Sequence, residues 1–341
     1  MMIFSVLLVF PLAYFLHFFC LKKNFLLSLS GEKHQKFISK KNVPLIGGFI
    51  ILIIIYFLNI DLKFKLYLTL FFCLGFISDL KILSSANIRF FFQSILVVFF
   101  VYILDIYLVN TRVILLDVLL QDKFFNLFFT SFCIIIILNG TNFIDGINLN
   151  TILYYFLINT ILIFLSKDYN LFLSKEDFLI LGLSLLFLGY LNSKNILFLG
   201  DSGSYLIAIF FSFLLIDFYV SNQQISPFFI ILLLWYPGFE NLFSILRKFN
   251  FKKSPLKPDI FHLHHLIYTW LDSFKKTKNH KKNLAGILIN LFNICLFYLA
   301  INNISNSQFQ IMLLIIATLI YCFVYLKLLK LKFKNLFRNK I

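Results

Sequence analysis

The sequence predicts an all-α integral membrane protein of about eleven transmembrane helices, ten at the lower count, and three observations carry that prediction. The 341 residues are 60% hydrophobic and 13% charged, with a mean hydropathy of +0.90, outside the composition of soluble domains. Phe alone supplies 48 residues. With Ile and Leu it forms solid runs able to cross about 30 Å of hydrocarbon at about 1.5 Å per helical residue. These runs lack the polar/apolar alternation of a lipid-facing barrel strand. The third observation is the uneven placement of Lys and Arg between the runs.

The elements follow in order. Met1 to Cys20 is apolar, with no basic leader region and no small-residue cleavage site, so it reads as a retained first span. Further spans are expected at 44–58, 64–77, 90–108, 124–138, 149–165, 178–191, 203–220, 227–246, 284–301 and 309–326. Alternate connections hold 25 of the 31 Lys and Arg residues and the other set holds 6. The positive-inside rule therefore puts the N-terminus outside and the C-terminus in the cytoplasm. The net charge of +16, which in a soluble protein would suggest nucleic acid, here reads as topology plus attraction to membrane lipid headgroups, with no nucleic-acid partner. The chain forms a single polytopic domain over 1–341, with a long basic cytoplasmic loop at 247–283 and two terminal helices with a basic tail at 284–341. Cys20, Cys73, Cys133, Cys295 and Cys322 lie in or beside apolar segments without CxxC spacing, which argues against a zinc site and a disulfide framework.

Every polar motif that looks chemical falls on the expected cytoplasmic side. Segments 124–138 and 178–191 are short for a full crossing by roughly four to six residues. Their helices are expected to run on into polar sequence around a water-filled cleft, since irregular backbone at membrane depth must line a cavity or be buried in protein. No internal repeat of the transporter kind is present.

Carboxylates near hydrocarbon cost about 2.5 to 3.5 kcal/mol on insertion scales, so Asp79, Asp145, Asp201 and Glu240 each need a partner or a purpose. A shared cation of the Mg²⁺ type is the simplest purpose, and pairing with Lys or Arg is the plain alternative for any one of them. Gly200-Asp201-Ser202-Gly203-Ser204 opens the eighth span, where exposed N–H groups favour phosphate, although the same residues are ordinary helix starters. In Asn139-Gly-Thr-Asn142-Phe-Ile-Asp145-Gly-Ile-Asn148 a polar side chain recurs every three residues. A persisting helix would bring Asn139, Asn142 and Asp145 to one side; a polar turn is the alternative. His262-Leu-His264-His265 follows a Pro-rich entry and suits metal, acid/base or phosphate contacts; HExxH is absent, which discounts zinc. Lys33, His34, Lys36, Lys40 and Lys41 serve equally as topology charges or as a steering patch for an anionic nucleotide.

Taken in this order, GEKHQ…VPLIGG, GFISDLKILSS…IRFFFQ, NGTNFIDGIN, LFLGDSGSYL and SPLKPDIFHLHHLIY resemble the motifs of the polyprenyl-phosphate N-acetylhexosamine-1-phosphate transferase family (glycosyltransferase family 4), over 31–268. The resemblance implies transfer of a HexNAc 1-phosphate from a UDP-HexNAc donor to undecaprenyl (polyprenyl) phosphate, releasing UMP, as the initiating step of a surface polysaccharide at the inner membrane. It implies Mg²⁺, with Mn²⁺ as substitute, and leaves room for a homodimer. By the same resemblance Asp201 ligates the metal and Asp79, Asn142 and Asp145 line the reaction centre. Substrate binding falls to Lys41, Arg89, Asn139, Asn148, Gly200, Ser204, Glu240, His262, His264 and His265. The His-x-His-His form looks like the branch using UDP-HexNAc donors; the muramoyl-pentapeptide branch, with three consecutive His, ranks second.

Two positions depart from the family pattern. Ser78-Asp79 stands where adjacent aspartates are usual, and a serine hydroxyl cannot serve as an anionic base at neutral pH. Glu240 stands where an aspartate is expected. A non-catalytic polyprenyl-phosphate carrier or transporter, with Ser78 marking lost chemistry, is therefore the competing reading. A cation-coupled transporter is a third, and predicts mid-span polar groups that the sequence largely lacks.

Overall fold

A computed structural model describes residues 2–28, 42–250, 260–271 and 277–338. Within them the chain forms fourteen α-helices, and the only β pairing is an isolated bridge between Leu27 and Pro44. In order these are α1 (Met2–Lys23), α2 (Gly47–Phe57), α3 (Leu62–Asp79), α4 (Ala86–Ile103), α5 (Ile114–Leu120), α6 (Lys123–Ile144), α7 (Asn150–Leu165), α8 (Lys175–Ser193), α9 (Gly200–Ser221), α10 (Pro227–Leu233), α11 (Trp235–Asn250), α12 (Leu263–Leu271), α13 (Lys278–Ile301) and α14 (Ser307–Arg338). Each of the eleven expected apolar segments carries a helix.

Six of these helices, α4, α6, α8, α9, α13 and α14, are long and apolar enough to cross a membrane among the described residues. A seventh crossing is available if α10 and α11 count as one bent span. α9 is apolar almost all round, as a core helix must be, and it is buried along nearly its whole length, with α2, α3 and α6 packed around it. α4 and α14 lie at the periphery and turn Phe91, Phe99, Tyr102, Leu319, Phe323 and Leu326 outward, side chains for which lipid is the natural solvent.

The segment 227–246 is expected as one span; it forms two helices, α10 and α11, bent by 74° about Leu234. Pro237 supplies the physical reason. It has no N–H to give the carbonyl of Leu233, and its ring collides with that carbonyl in a continuous helix. The bend frees α11 to adopt an inverted amphipathic form. Glu240, Asn241, Ser244 and Lys248 face inward and are buried, while Leu242, Leu246 and Phe249 are exposed. A helix with its polar stripe inside and its apolar stripe outside suits a place between buried polar groups and lipid.

As expected from their short apolar cores, α6 and α8 run on past Leu138 and Leu191 into polar sequence. This extension carries Asn139 and Asn142 on helical backbone. At the other end of the bundle, connections are laced together by side-chain-to-backbone bonds. Arg112 donates to the carbonyls of Gln223, Gln224, Ile225 and Ser305, at 2.8 to 3.3 Å, and to Ser307 Oγ at 2.9 Å. Asn222 Nδ2 donates to Asn170 O at 2.7 Å.

Candidate active site

The motifs expected to act together come together at the end of the bundle marked by the start of α9. Gly200 opens that helix with φ +73°, a left-handed conformation that glycine adopts without strain. A Cβ there would lie 2.6 Å from Asp79 Oδ2, so glycine also permits the close approach. Asp79, the last residue of α3, uses this space. Its Oδ1 accepts the N–H of Asp201 at 2.8 Å, and its Oδ2 accepts the N–H of Ser202 at 3.0 Å and Ser202 Oγ–H at 2.7 Å. α9 has no side-chain cap of its own at Leu199. Asp79 therefore caps it from another helix, satisfying two of its orphan amides and complementing its positive end.

Asp201, fixed in this way, gathers donors from three further positions. Asn142 Nδ2 donates to its Oδ1 at 2.7 Å. Ser78 Oγ donates to Oδ2 at 2.5 Å and Arg89 Nη1 donates to the same oxygen at 2.7 Å. Arg89 also donates to Ser78 Oγ at 2.9 Å, and Asn142 reaches Ser204 Oγ at 3.1 Å. The Asp201 and Arg89 side chains remain partly exposed, at 22% and 28%, so the cluster is open to a ligand. Asp145, directly after α6, is half-buried, and desolvation, with the charges of Asp201 and Asp79 added, pushes its carboxyl well above the usual carboxylate range.

A second cluster is formed by the histidines. The bend in α11 brings Glu240, fully buried, to within 2.9 Å of His262 Nδ1 and 2.6 Å of the Tyr321 hydroxyl. A carboxylate only accepts, so His262 carries its proton on Nδ1 toward Glu240. His264 is fully buried, and neither of its ring nitrogens has a hydrogen-bond partner. Burial, then the neighbouring His265 and His262, holds its pKa well below the usual imidazole value. The two clusters are joined by the end of α6 and the turn after it. Asn142 serves the first, the Phe143 ring lies 5.2 Å from the His262 ring, and a Cβ on Gly146 would collide with His264 Nε2.

Other expected site residues are placed elsewhere. Asn139 bonds back to Ile135 O of its own helix at 3.0 Å. Asn148 is buried in a hub with Asn195, Asn279 and Asn283, at 2.9 to 3.0 Å, which ties the α6–α7 turn to the end of α8 and the start of α13. Glu240 has no exposure and reaches the site only through His262. Lys41, and the basic residues of the first loop with it, lie outside the described residues, as does Ser254 to Asp259. Three participants were not anticipated as site residues: Ser78, Ser202 and Tyr321. The first two sit inside quoted motifs, whereas nothing in the sequence of α14 distinguishes Tyr321.

Among the described residues no three His, Cys, Asp or Glu side chains gather into a cage. A hard ion that keeps its waters and binds through one carboxylate plus substrate phosphates needs no such cage. The partly exposed Asp201, flanked by the oxygens of Ser78 and Ser204, fits that pattern.

The chain is similar to known proteins over the stretch that carries the Asp201 cluster. Residues 62–219 match the family model described as glycosyl transferase family 4, a stretch that runs from α3 to α9 and includes the whole Asp201 cluster. The chain is also similar to an undecaprenyl-phosphate alpha-N-acetylglucosaminyl 1-phosphate transferase of Thermotoga maritima, with 32% identity over 78 residues, covering 23% of this chain and 25% of that protein. The match thus spans about a quarter of the relative's length.

Proposed function

We propose, from the match of residues 62–219 to the model of glycosyl transferase family 4, that the chain transfers a HexNAc 1-phosphate from a UDP-HexNAc donor to undecaprenyl phosphate at the inner membrane, releasing UMP and starting a surface polysaccharide. The observation that carries this reading is the meeting of Ser78, Asp79, Arg89, Asn142 and Asp201, from four different helices, around one partly exposed carboxylate. A terminal phosphate oxygen of the lipid attacks the sugar-bearing phosphorus of the donor. The bond from that phosphorus to the bridging oxygen breaks, and the oxygen leaves with UMP.

Such a transfer depends chiefly on positioning and on neutralising charge. Mg²⁺, bound by Asp201 and the phosphates, would supply part of that neutralisation. Arg89 is placed to supply another part, exchanging its bond to Asp201 for one to a substrate phosphate. Asp79 holds the Asp201 turn rigid. Asn142 orients Asp201 Oδ1. An ionised lipid phosphate needs no base to attack, so the absence of a carboxylate at position 78 does not remove a required step. The histidine cluster, with a buried and unsatisfied His264, is suited to the donor's nucleotide or phosphates.

The test is UMP release by purified protein from radiolabelled UDP-GlcNAc and undecaprenyl phosphate, with and without Mg²⁺. Release only with the metal, abolished by Asp201→Asn, is expected. No release across a panel of UDP-HexNAc donors would sink the enzymatic reading. Retained lipid binding in that case would favour the carrier alternative.

A further inference from the structure

We infer that α14, which lies outside the family-matched stretch, is a positioning element for the histidine segment, and that Tyr321 acts on His262 through Glu240. The argument starts from Glu240. A buried carboxylate is costly unless each oxygen finds a donor. His262 serves Oε1 at 2.9 Å and Tyr321 serves Oε2 at 2.6 Å. Tyr321 thereby holds the carboxylate plane, and the carboxylate holds the ring and tautomer of His262, as an outer partner does behind a functional imidazole.

Tyr321 does not act alone. Tyr325, one turn further along α14, accepts from Arg247 Nη1 at 2.9 Å, and the same Arg247 nitrogen donates to Phe261 O, the residue before His262. Lys332 Nζ donates to Ile260 O at 3.2 Å and lies 4.6 Å above the Phe261 ring. The rings of Tyr321 and Tyr325 stack at 6.0 Å with Phe243 of α11 against both. Positions 321, 325 and 332 fall on one face of a helix. That face touches the side-chain anchor of His262, the backbone of Ile260 and the ring of Phe261, and it holds the Arg247 that bonds the Phe261 carbonyl. The rest of the helix is largely exposed. Tyr321, Tyr325 and Lys332 of α14 thus converge on the one segment that carries three histidines.

That the histidines meet the donor rests on the function proposed above, so the experiment separates the two. Hydrogen exchange of full-length protein in nanodiscs is compared for wild type and Tyr321→Phe, which removes one donor and keeps the ring. Amides of 260–266 are expected to exchange at least about fivefold faster, with 86–103 unchanged; equal rates at 260–266 overturn the inference. In the UMP-release assay the KM for UDP-GlcNAc is expected to rise about tenfold, within the range for outer-partner mutations, with kcat within about twofold. In a Glu240→Gln background Tyr321→Phe is expected to add nothing, whereas additive effects would show that Tyr321 does not act through Glu240. If Tyr321→Phe does not fold, Lys332→Met, which leaves Tyr321 in place, is expected to give the same local exchange pattern, and its absence counts against the inference. Faster exchange in a protein that releases no UMP would uphold the role of α14 and sink the enzymatic reading alone.

Discussion

The Asp79 carboxylate accepts the backbone N–H of Asp201 at 2.8 Å, so the end of one helix sets the first turn of another. The consequence is that Asp79 is expected to behave as a positioning residue. Asp79→Ala leaves two amides and a hydroxyl without their acceptor and should destabilise the protein by about 2 kcal/mol, the scale of an unsatisfied polar group. Asp79→Asn keeps one acceptor oxygen and should cost less. Thermal unfolding in detergent, read beside UMP release, checks both the order and the link between stability and rate.

Ser78 donates to the same Asp201 oxygen as Arg89. Ser78→Ala removes one of two donors there and should slow UMP release by less than about tenfold, since Arg89 remains and one neutral hydrogen bond is worth about 1 kcal/mol. Ser78→Asp should restore the adjacent aspartates of the family. Without metal it places a third carboxylate near Asp79 and Asp201 and should lower the melting temperature, and added Mg²⁺ should recover it. A melting curve that ignores Mg²⁺ would argue against a cation at Asp201.

His264 gives a pH dependence with a defined sign. Its folded pKa is held well below the usual imidazole value by burial, so below about pH 6.5 the unfolded chain takes up a proton that the folded chain resists. Stability is therefore full above that pH and falls as the pH drops below it. His264→Phe should flatten this slope in thermal melts between pH 7 and pH 5. Nucleotide binding should weaken in the same variant at every pH.

Arg112 makes its bonds at the far end of the bundle, to the stretch after α9 and the start of α14. Arg112→Ala should lower stability by about 1 to 3 kcal/mol through five lost charge-assisted bonds that are partly replaced by water. The KM for UDP-GlcNAc should not change. A shifted KM would mean that the two ends of the bundle are coupled.

Much of the fold was legible because its signals are local. Apolar runs located a helix in every expected segment, and the short cores of 124–138 and 178–191 correctly implied that α6 and α8 run on into polar sequence. Asn142, Asp201, Asp79 and Arg89 were legible as a group through their motifs. What escaped depended on tertiary geometry. Pro237 was visible, but the direction of the bend it causes, and the inward turn of Glu240 that follows, are set by packing. Asn148 has the same motif spacing as Asn142 yet falls beyond the end of α6, where Leu149 with φ +66° turns the chain toward the asparagine hub. Tyr321 resembles any aromatic in an apolar span, and its role exists only because Glu240 arrives opposite it.

The Arg112 lacing gives the bundle a fulcrum. Helices tied together beyond the C-terminal end of α9 can still diverge near its N-terminal end, where Asp201 sits. For a helix about 30 Å long, a tilt of about 3° moves the far end by about 1.6 Å while the tied end stays in register. Cysteine pairs for spin labelling, one across the Arg112 end and one across the Asp201 end, would show a narrow distance distribution at the first and a broader one at the second.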